Sequence, residues 1–243
     1  MKPYAIVTGG AGGIGKAISG RLVDDGFDVL IADLAREAAE AVATELGEGC
    51  AAIEIDVSSP ISIARAFEEV IGERSAPAVL VNNAGWDLTM PFVESDLEFR
   101  QKVLAVNLSG AIECSWHASR AMLEAESGTI INVASDAGRV GSTGEVVYSG
   151  AKGGVIAFTK ALAREVAPAV RVNCVCPGPT DTPLLGAIAE ENPALVRALE
   201  RAIPLRRIGA PADVAGVVSF LCSDDAAYMT GQTISVSGGL TMA

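Results

Sequence analysis

Apolar residues run along the chain in short, nearly unbroken blocks: 4–8 (YAIVT), 27–32 (FDVLIA), 50–55 (CAAIEI), 78–82 (AVLVN), 128–135 (GTIINVAS), 170–175 (VRVNCV) and 233–237 (TISVS). A strand with one face in water alternates apolar with polar residues, whereas a strand covered on both faces is apolar throughout. Between the blocks lie segments of helical pattern, among them GIGKAISGRLVDDG, REAAEAVATELG and SSPISIARAFEEVIGE. Strand–helix alternation from end to end predicts an α/β fold, a doubly wound parallel seven-stranded sheet with helices on both faces. Residues 1–243 read as one domain, without repeats, linkers or low-complexity segments. The longest stretch without a strand, roughly 177–232, is rich in Pro and Gly; a substrate lid is expected within it, around 181–207.

Composition narrows the function. Half the residues are hydrophobic and a fifth are charged, as in a globular domain with a sizeable core. A formal net charge of −12 argues against nucleic acid or an anionic membrane surface as partner, since both require clustered Lys and Arg. No apolar run approaches the roughly 18 residues that would cross a bilayer. MKPYAIVTGG reads as a first strand and not as a signal peptide, so a cytoplasmic location is expected. The five cysteines, at 50, 114, 174, 176 and 222, have no framework spacing and read as free thiols. Cys174 and Cys176 fall in the alternating run VRVNCVCPG and share one face of a strand. A metal site would need further ligands, and the single histidine, His117, sits in a small-residue helical stretch; no metal is expected, and zinc-dependent alcohol oxidation is disfavoured.

The first strand is followed by TGGAGGIGKAI, in which Thr8, Gly9, Gly13 and Gly15 give the spacing T-G-x-x-x-G-x-G, with Ile14 between the last two glycines. Glycines at a strand-to-helix turn let backbone N–H groups approach a pyrophosphate at the helix N-terminus, so this stretch predicts dinucleotide binding on a Rossmann-type fold. Asp33, at the end of the second strand, stands where an acid would accept hydrogen bonds from the adenosine ribose and repel a 2′-phosphate. Ala11, Gly12 and Gly13 supply no arginine for such a phosphate, and the two features together predict NAD in preference to NADP.

Residues 146–154, VVYSGAKGG, place Tyr148 four residues before Lys152, on one face of a helix and one turn apart. Alone, the pair could be a solvated surface contact. Beside a dinucleotide it has a chemical use, because moving a hydride from an alcohol also requires moving the hydroxyl proton. A free tyrosine titrates near pH 10, so half-ionising it at pH 7 takes roughly 4 kcal/mol of preference for the phenolate. A lysine cation one turn away and a positive nicotinamide would both favour that anion. The small residues Ser149, Gly150, Ala151, Gly153 and Gly154 are expected to let the cofactor or a neighbouring helix come close.

With TGGAGGIG at 8–15, DV at 56–57, NNAG at 82–85, Asn107 in AVNLSG, Ser135 in INVAS, Tyr148-x-x-x-Lys152 and PGPTDTP at 177–183, the chain resembles the compact branch of the short-chain dehydrogenase/reductase family along its whole length. The resemblance implies that Asp56 bonds the adenine amino group with Val57 beside the ring, and that Asn82, Ala84 and Gly85 line the cofactor cleft. It implies that Ser135 holds the substrate oxygen, Tyr148 is the general acid/base, Lys152 binds the nicotinamide ribose, and Asn107 interrupts its helix to hold a relay water. Pro177, Gly178, Thr180 and Thr182 would border the nicotinamide and pyrophosphate. A homotetramer, packed through the helices around 99–124 and 148–167, is implied as well.

The expected activity is NAD-dependent interconversion of a secondary alcohol and a ketone on a small-molecule substrate. AGWDLTMPF is similar to the corresponding stretch of family members that oxidise alicyclic hydroxyacyl-CoA thioesters, and is compatible with 3-oxoacyl thioester reductases. Trp86, Leu88, Met90, residues 139–146 and the lid are the candidate pocket, with Asp87, Arg139 and Glu145 as polar handles. A sugar or polyol dehydrogenase, a free cyclic alcohol dehydrogenase, and a catalytically silent nucleotide sensor on the same fold remain alternatives.

Overall fold

A computed structural model of the chain describes residues 2–182, 185–186 and 193–242. Seven parallel strands form one sheet in the order β3-β2-β1-β4-β5-β6-β7, in which β1 is Tyr4–Thr8, β2 Asp28–Asp33, β3 Cys50–Glu54, β4 Val79–Asn82, β5 Gly128–Val133, β6 Val170–Pro177 and β7 Thr233–Val236. The helices are α1 (Gly13–Asp24), α2 (Arg36–Leu46), α3 (Pro60–Arg74), α4 (Leu97–Leu104), α5 (Gly110–Glu124), α6 (Ala137–Val140), α7 (Val146–Glu165), α8 (Pro193–Ala202) and α9 (Pro211–Cys222). All seven strands expected from the apolar blocks are present, with ends displaced by one or two residues.

Strand parity divides the interior into two layers. Ala5, Val7, Val29, Ile31, Val79, Val81, Ile131 and Val175 pack under α1, α2 and α9. Their neighbours Tyr4, Ile6, Leu30, Ala32, Leu80, Ile130 and Val172 pack on the opposite face, under α3, α5 and α7. Burial on both faces is why these strands are apolar without alternation. Each large side chain removed from water there contributes about 1.5–3 kcal/mol.

Connections run outward in both directions from β1, which pairs with β2 on one side and β4 on the other. That reversal opens a crevice at the carboxyl ends of the strands, where open α/β sheets bind their ligands. Between α4 and α5 the helix widens into one π turn, Ala105–Ser109. The expected lid is only partly visible: residues 183–184 and 187–192 lie outside those described. Its neck is a β-bridge between Thr180 and Gly209, reinforced by the Asp181 N–H donating to the Gly209 carbonyl at 2.7 Å. Among the described residues no helix is long and apolar enough to cross a membrane, and no group of three or more His, Cys, Asp or Glu is placed to hold a metal. The described cysteines are all free thiols. His117 stacks on Phe67 at 5.4 Å, which is a packing role.

Candidate active site

The glycine loop is shaped for close approach. Gly9 has φ +62°, a left-handed conformation that favours glycine, and a Cβ there would stand 2.8 Å from the Ala84 Cα. At Gly15 a Cβ would stand 2.0 Å from the Gly9 carbonyl oxygen. Helix α1 starts at Gly13 after an N-cap glycine, Gly12, and no side chain caps it. The first-turn N–H groups, including those of Gly13, Ile14 and Gly15, are therefore left for an anionic group. Residues that a side chain would choke, at the N-terminus of a helix without a cap, fit a dinucleotide pyrophosphate.

Asn83, which none of the sequence motifs singles out for a role, ties this loop to β4. Its amide donates to the Thr8 and Gly9 carbonyls, both at 3.1 Å. The Thr8 hydroxyl in turn accepts from the Asn83 and Ala84 N–H groups at 3.0 and 3.1 Å. Asn82 differs from expectation. Its side chain turns into the core, where the amide donates to Asn132 Oδ1 at 2.8 Å and to the Ser115 hydroxyl at 2.9 Å. Strand alternation explains the exchange, since Asn82 shares the face of the buried Leu80 and Asn83 takes the other.

Asp33 faces the loop. One carboxylate oxygen accepts from the Ala11 N–H and the other from the Ala35 N–H, each at 3.1 Å. Every oxygen keeps a lone pair for a ribose hydroxyl. The first downstream cation, Arg36, is bonded to Glu40 at 2.9 Å. Asp56 closes a turn by accepting from the Ser58 N–H and hydroxyl through Oδ1. Val57 sits against α5 at a point where Gly110 leaves room: a Cβ there would meet the Val57 carbonyl at 2.5 Å.

Asn107 and Lys152 converge on Gly85. A Cβ on Gly85 would stand 3.0 Å from Asn107 Oδ1 and 3.6 Å from Lys152 Nζ. Asn107 lies inside the π turn, and its amide donates to the Trp86 carbonyl at 2.5 Å and to the Val103 carbonyl at 2.9 Å while its oxygen accepts from the Trp86 N–H at 3.2 Å. The helix interruption expected at this residue is thus present, and it places an asparagine where backbone bonding is disturbed. Lys152 is buried and donates to the Val133 carbonyl at 2.9 Å. Its Nζ stands 5.6 Å from the centroid of the Tyr148 ring. The Ser135 hydroxyl accepts from the Ala137 N–H at 3.1 Å, which leaves its proton free to point at a ligand or at the Tyr148 phenol.

The electrostatics differ from the simple expectation. Burial pushes the Tyr148 phenol up, Glu145 and Asp87 push the same way, and the Ser135 hydroxyl opposes them. Burial also brings the Lys152 ammonium down to about 8. Desolvation is the largest influence on the phenol and favours its protonated form, the form of a general acid.

Other expected pocket residues are redistributed. The Arg139 guanidinium turns toward β7: it donates to Ser235 Oγ at 3.1 Å and to the Thr233 carbonyl at 3.3 Å, clamping the turn after Ser135 to that strand. Nothing local in the sequence signals a partner that distant. Trp86 packs against Phe99 and carries the Lys102 ammonium over its ring at 3.9 Å. Gly150 has open space around it, whereas Gly153 and Gly154 admit the Gly138 carbonyl and the Leu108 side chain. At the end of β6, Pro177 pairs with Val236 of β7 and the Gly178 N–H donates to the Val236 carbonyl at 3.0 Å; the Thr180 hydroxyl donates to the Gly178 carbonyl at 2.9 Å, and the Thr182 carbonyl accepts from the Gly186 N–H at 2.9 Å.

A glycine loop open to close approach, beside a Ser–Tyr–Lys–Asn set, fits the class of oxidoreductase sites that take a nicotinamide dinucleotide. A family model described as "Enoyl-(Acyl carrier protein) reductase" matches residues 9–241. The chain is 39% identical over 241 residues to the 3-oxoacyl-[acyl-carrier-protein] reductase FabG of Aquifex aeolicus, covering 97% of this chain and 96% of the relative. It is 36% identical over 244 residues to the acetoacetyl-CoA reductase of an Acinetobacter strain, covering 98% and 97%. A solved structure from Brucella melitensis, described as a short-chain dehydrogenase/reductase, glucose/ribitol dehydrogenase, superposes with a TM-score of 0.92 at 32% identity, covering 99% and 97%. The chain belongs to the short-chain dehydrogenase/reductase family.

Proposed function

We propose that this protein interconverts the ketone of a 3-oxoacyl thioester and the corresponding secondary alcohol, cyclic hydroxyacyl thioesters included, with NAD(H) preferred over NADP(H). The observation that carries the reading is the placing of the Tyr148 phenol at the Ser135 hydroxyl, with the buried Lys152 ammonium 5.6 Å from its ring centroid, a set arranged to pass a proton to a ketone oxygen. The nicotinamide supplies the hydride when it is bound. Ser135 orients the ketone oxygen and stabilises the charge that develops on it. Tyr148 delivers the proton, Lys152 holds the ribose hydroxyls, and Asn107 holds the relay water through which the phenol is reprotonated. Asp33 and the paired Arg36 support the preference for NAD. The two reductase relatives favour the thioester; the Brucella protein, a glucose/ribitol dehydrogenase by name, favours a polyol as second reading.

Absorbance assays with acetoacetyl-CoA test the reading. NADH-linked turnover at least tenfold faster than NADPH-linked turnover is expected, and Asp33→Ala is expected to shrink that ratio. Turnover of polyols alone would replace the thioester, an unmoved cofactor ratio would remove Asp33 from its role, and silence with every substrate would favour the nucleotide sensor.

A homotetramer in the cytoplasm completes the proposal. Leu97, Leu104, Ile112, Trp116 and Leu123 are exposed along α4 and α5, an apolar surface suited to a second copy. Light scattering should give four times the chain mass, and a monomer would sink this part.

A further inference from the structure

Two carboxylates outside the catalytic set stand at the site. Asp87 follows Trp86, whose peptide N–H and carbonyl are both bonded to Asn107, so its backbone is fixed to the catalytic machinery. Glu145 lies three residues before Tyr148. The two segments are joined: the Met90 N–H donates to the Gly144 carbonyl at 3.0 Å, and a Cβ on Gly144 would stand 2.6 Å from Thr89 Cγ2. Both acids line one narrow crevice with Met90, Phe92, Phe99 and Val147.

The Asp87 carboxylate is uncompensated. Its Oδ2 atom is buried and has no hydrogen-bond partner among the described residues. Burial raises the carboxyl to about 6, the Leu88 N–H opposes, and the Glu145 charge adds to the rise. The charged and titratable groups nearby do not neutralise it. Glu145 and Tyr148 face it from the start of α7, Lys102 of α4 sits over the Trp86 ring, Arg100 of the same helix is bonded to the Ser95 carbonyl and hydroxyl, and Lys152 is bonded to the Val133 carbonyl. Two like charges, one of them partly desolvated, repel a third far more than they would in open water.

We propose that Asp87 and Glu145 act as a charge filter that determines substrate class: the group beside the reacting carbonyl must be uncharged, as in a thioester, and free oxo or hydroxy acids are rejected. This rests on the thioester reading above and deepens it, since one carbon skeleton reaches the enzyme either as a neutral thioester or as an anion. The filter weakens below the Asp87 titration, where one of the two charges is lost.

The test compares kcat/KM for reduction of the neutral thioester S-acetoacetyl-N-acetylcysteamine and of acetoacetate, with NADH, from pH 5.5 to 8. Acetoacetate is ionised across this range. At pH 8 the wild type is expected to prefer the thioester by at least 100-fold, with the preference shrinking toward pH 5.5. The double variant Asp87→Asn, Glu145→Gln is expected to lower the ratio at least tenfold and to flatten its pH dependence. Equal use of both substrates by the wild type, or a ratio unmoved by the variant and by pH, would overturn the filter while leaving thioester reduction intact. Reduction of neither substrate, with NADH binding retained, would overturn the thioester reading itself and the filter with it. Should the double variant fail to fold, the wild-type pH trend and the isosteric single variant Asp87→Asn decide.

Discussion

Tyr148→Phe retains NADH binding and loses turnover by about 10³-fold, within the usual contribution of a positioned general acid. The phenylalanine ring fills the same space, so the packing of α7 and the Lys152 ammonium 5.6 Å from the ring centroid are kept. Only the hydroxyl is removed, and with it the proton that the ketone oxygen takes up. The structure also fixes the direction of the pH effect. Burial is the chief cause that raises the phenol, which favours its protonated form at neutral pH. Ketone reduction should therefore hold its rate from pH 6 to 8, whereas alcohol oxidation, which needs the phenolate, should accelerate with rising pH. Fluorescence titration with NADH and rate–pH profiles in both directions check the prediction. A variant with wild-type turnover would remove Tyr148 from the chemistry, and a reductive rate that falls across that pH range would contradict the raised phenol.

The same tyrosine marks where the sequence stops being legible. Its spacing from Lys152, and the helix that carries both, follow from local pattern. The upward push on the phenol depends on burial and on Glu145 and Asp87, with Ser135 opposing, and those residues come from three separate segments. The glycine loop is readable because its constraint is local: a strand, a tight turn and a helix in succession. Asn83 is readable in principle, since the buried Leu80 assigns Asn82 to the core face by alternation and leaves the next side chain for the cleft. Arg139 is not, because its partners in β7 lie more than 90 residues away and the sequence carries no signal of that pairing.

Gly15→Ala should weaken NADH binding by about 10- to 100-fold, the range that a methyl forced into a filled space would produce. The new Cβ would stand 2.0 Å from the Gly9 carbonyl oxygen and 2.7 Å from Asn83 Nδ2. Neither contact can be relieved by turning a flexible side chain. Gly9 is fixed in its left-handed conformation against Ala84, and Asn83 is bonded to both Thr8 and Gly9 carbonyls. The loop must shift as a unit, carrying the first-turn N–H groups of α1 away from where a pyrophosphate would sit. Gly72→Ala is the control. That residue lies within α3, a Cβ there meets nothing within 4 Å, and alanine in a helix is favoured over glycine by about 0.5–1 kcal/mol. Calorimetry of NADH binding and thermal melts of the two variants separate the effects: Gly72→Ala should melt slightly higher with unchanged affinity, and Gly15→Ala should lose affinity. Equal NADH affinity in both would mean that the glycine loop does not hold the dinucleotide.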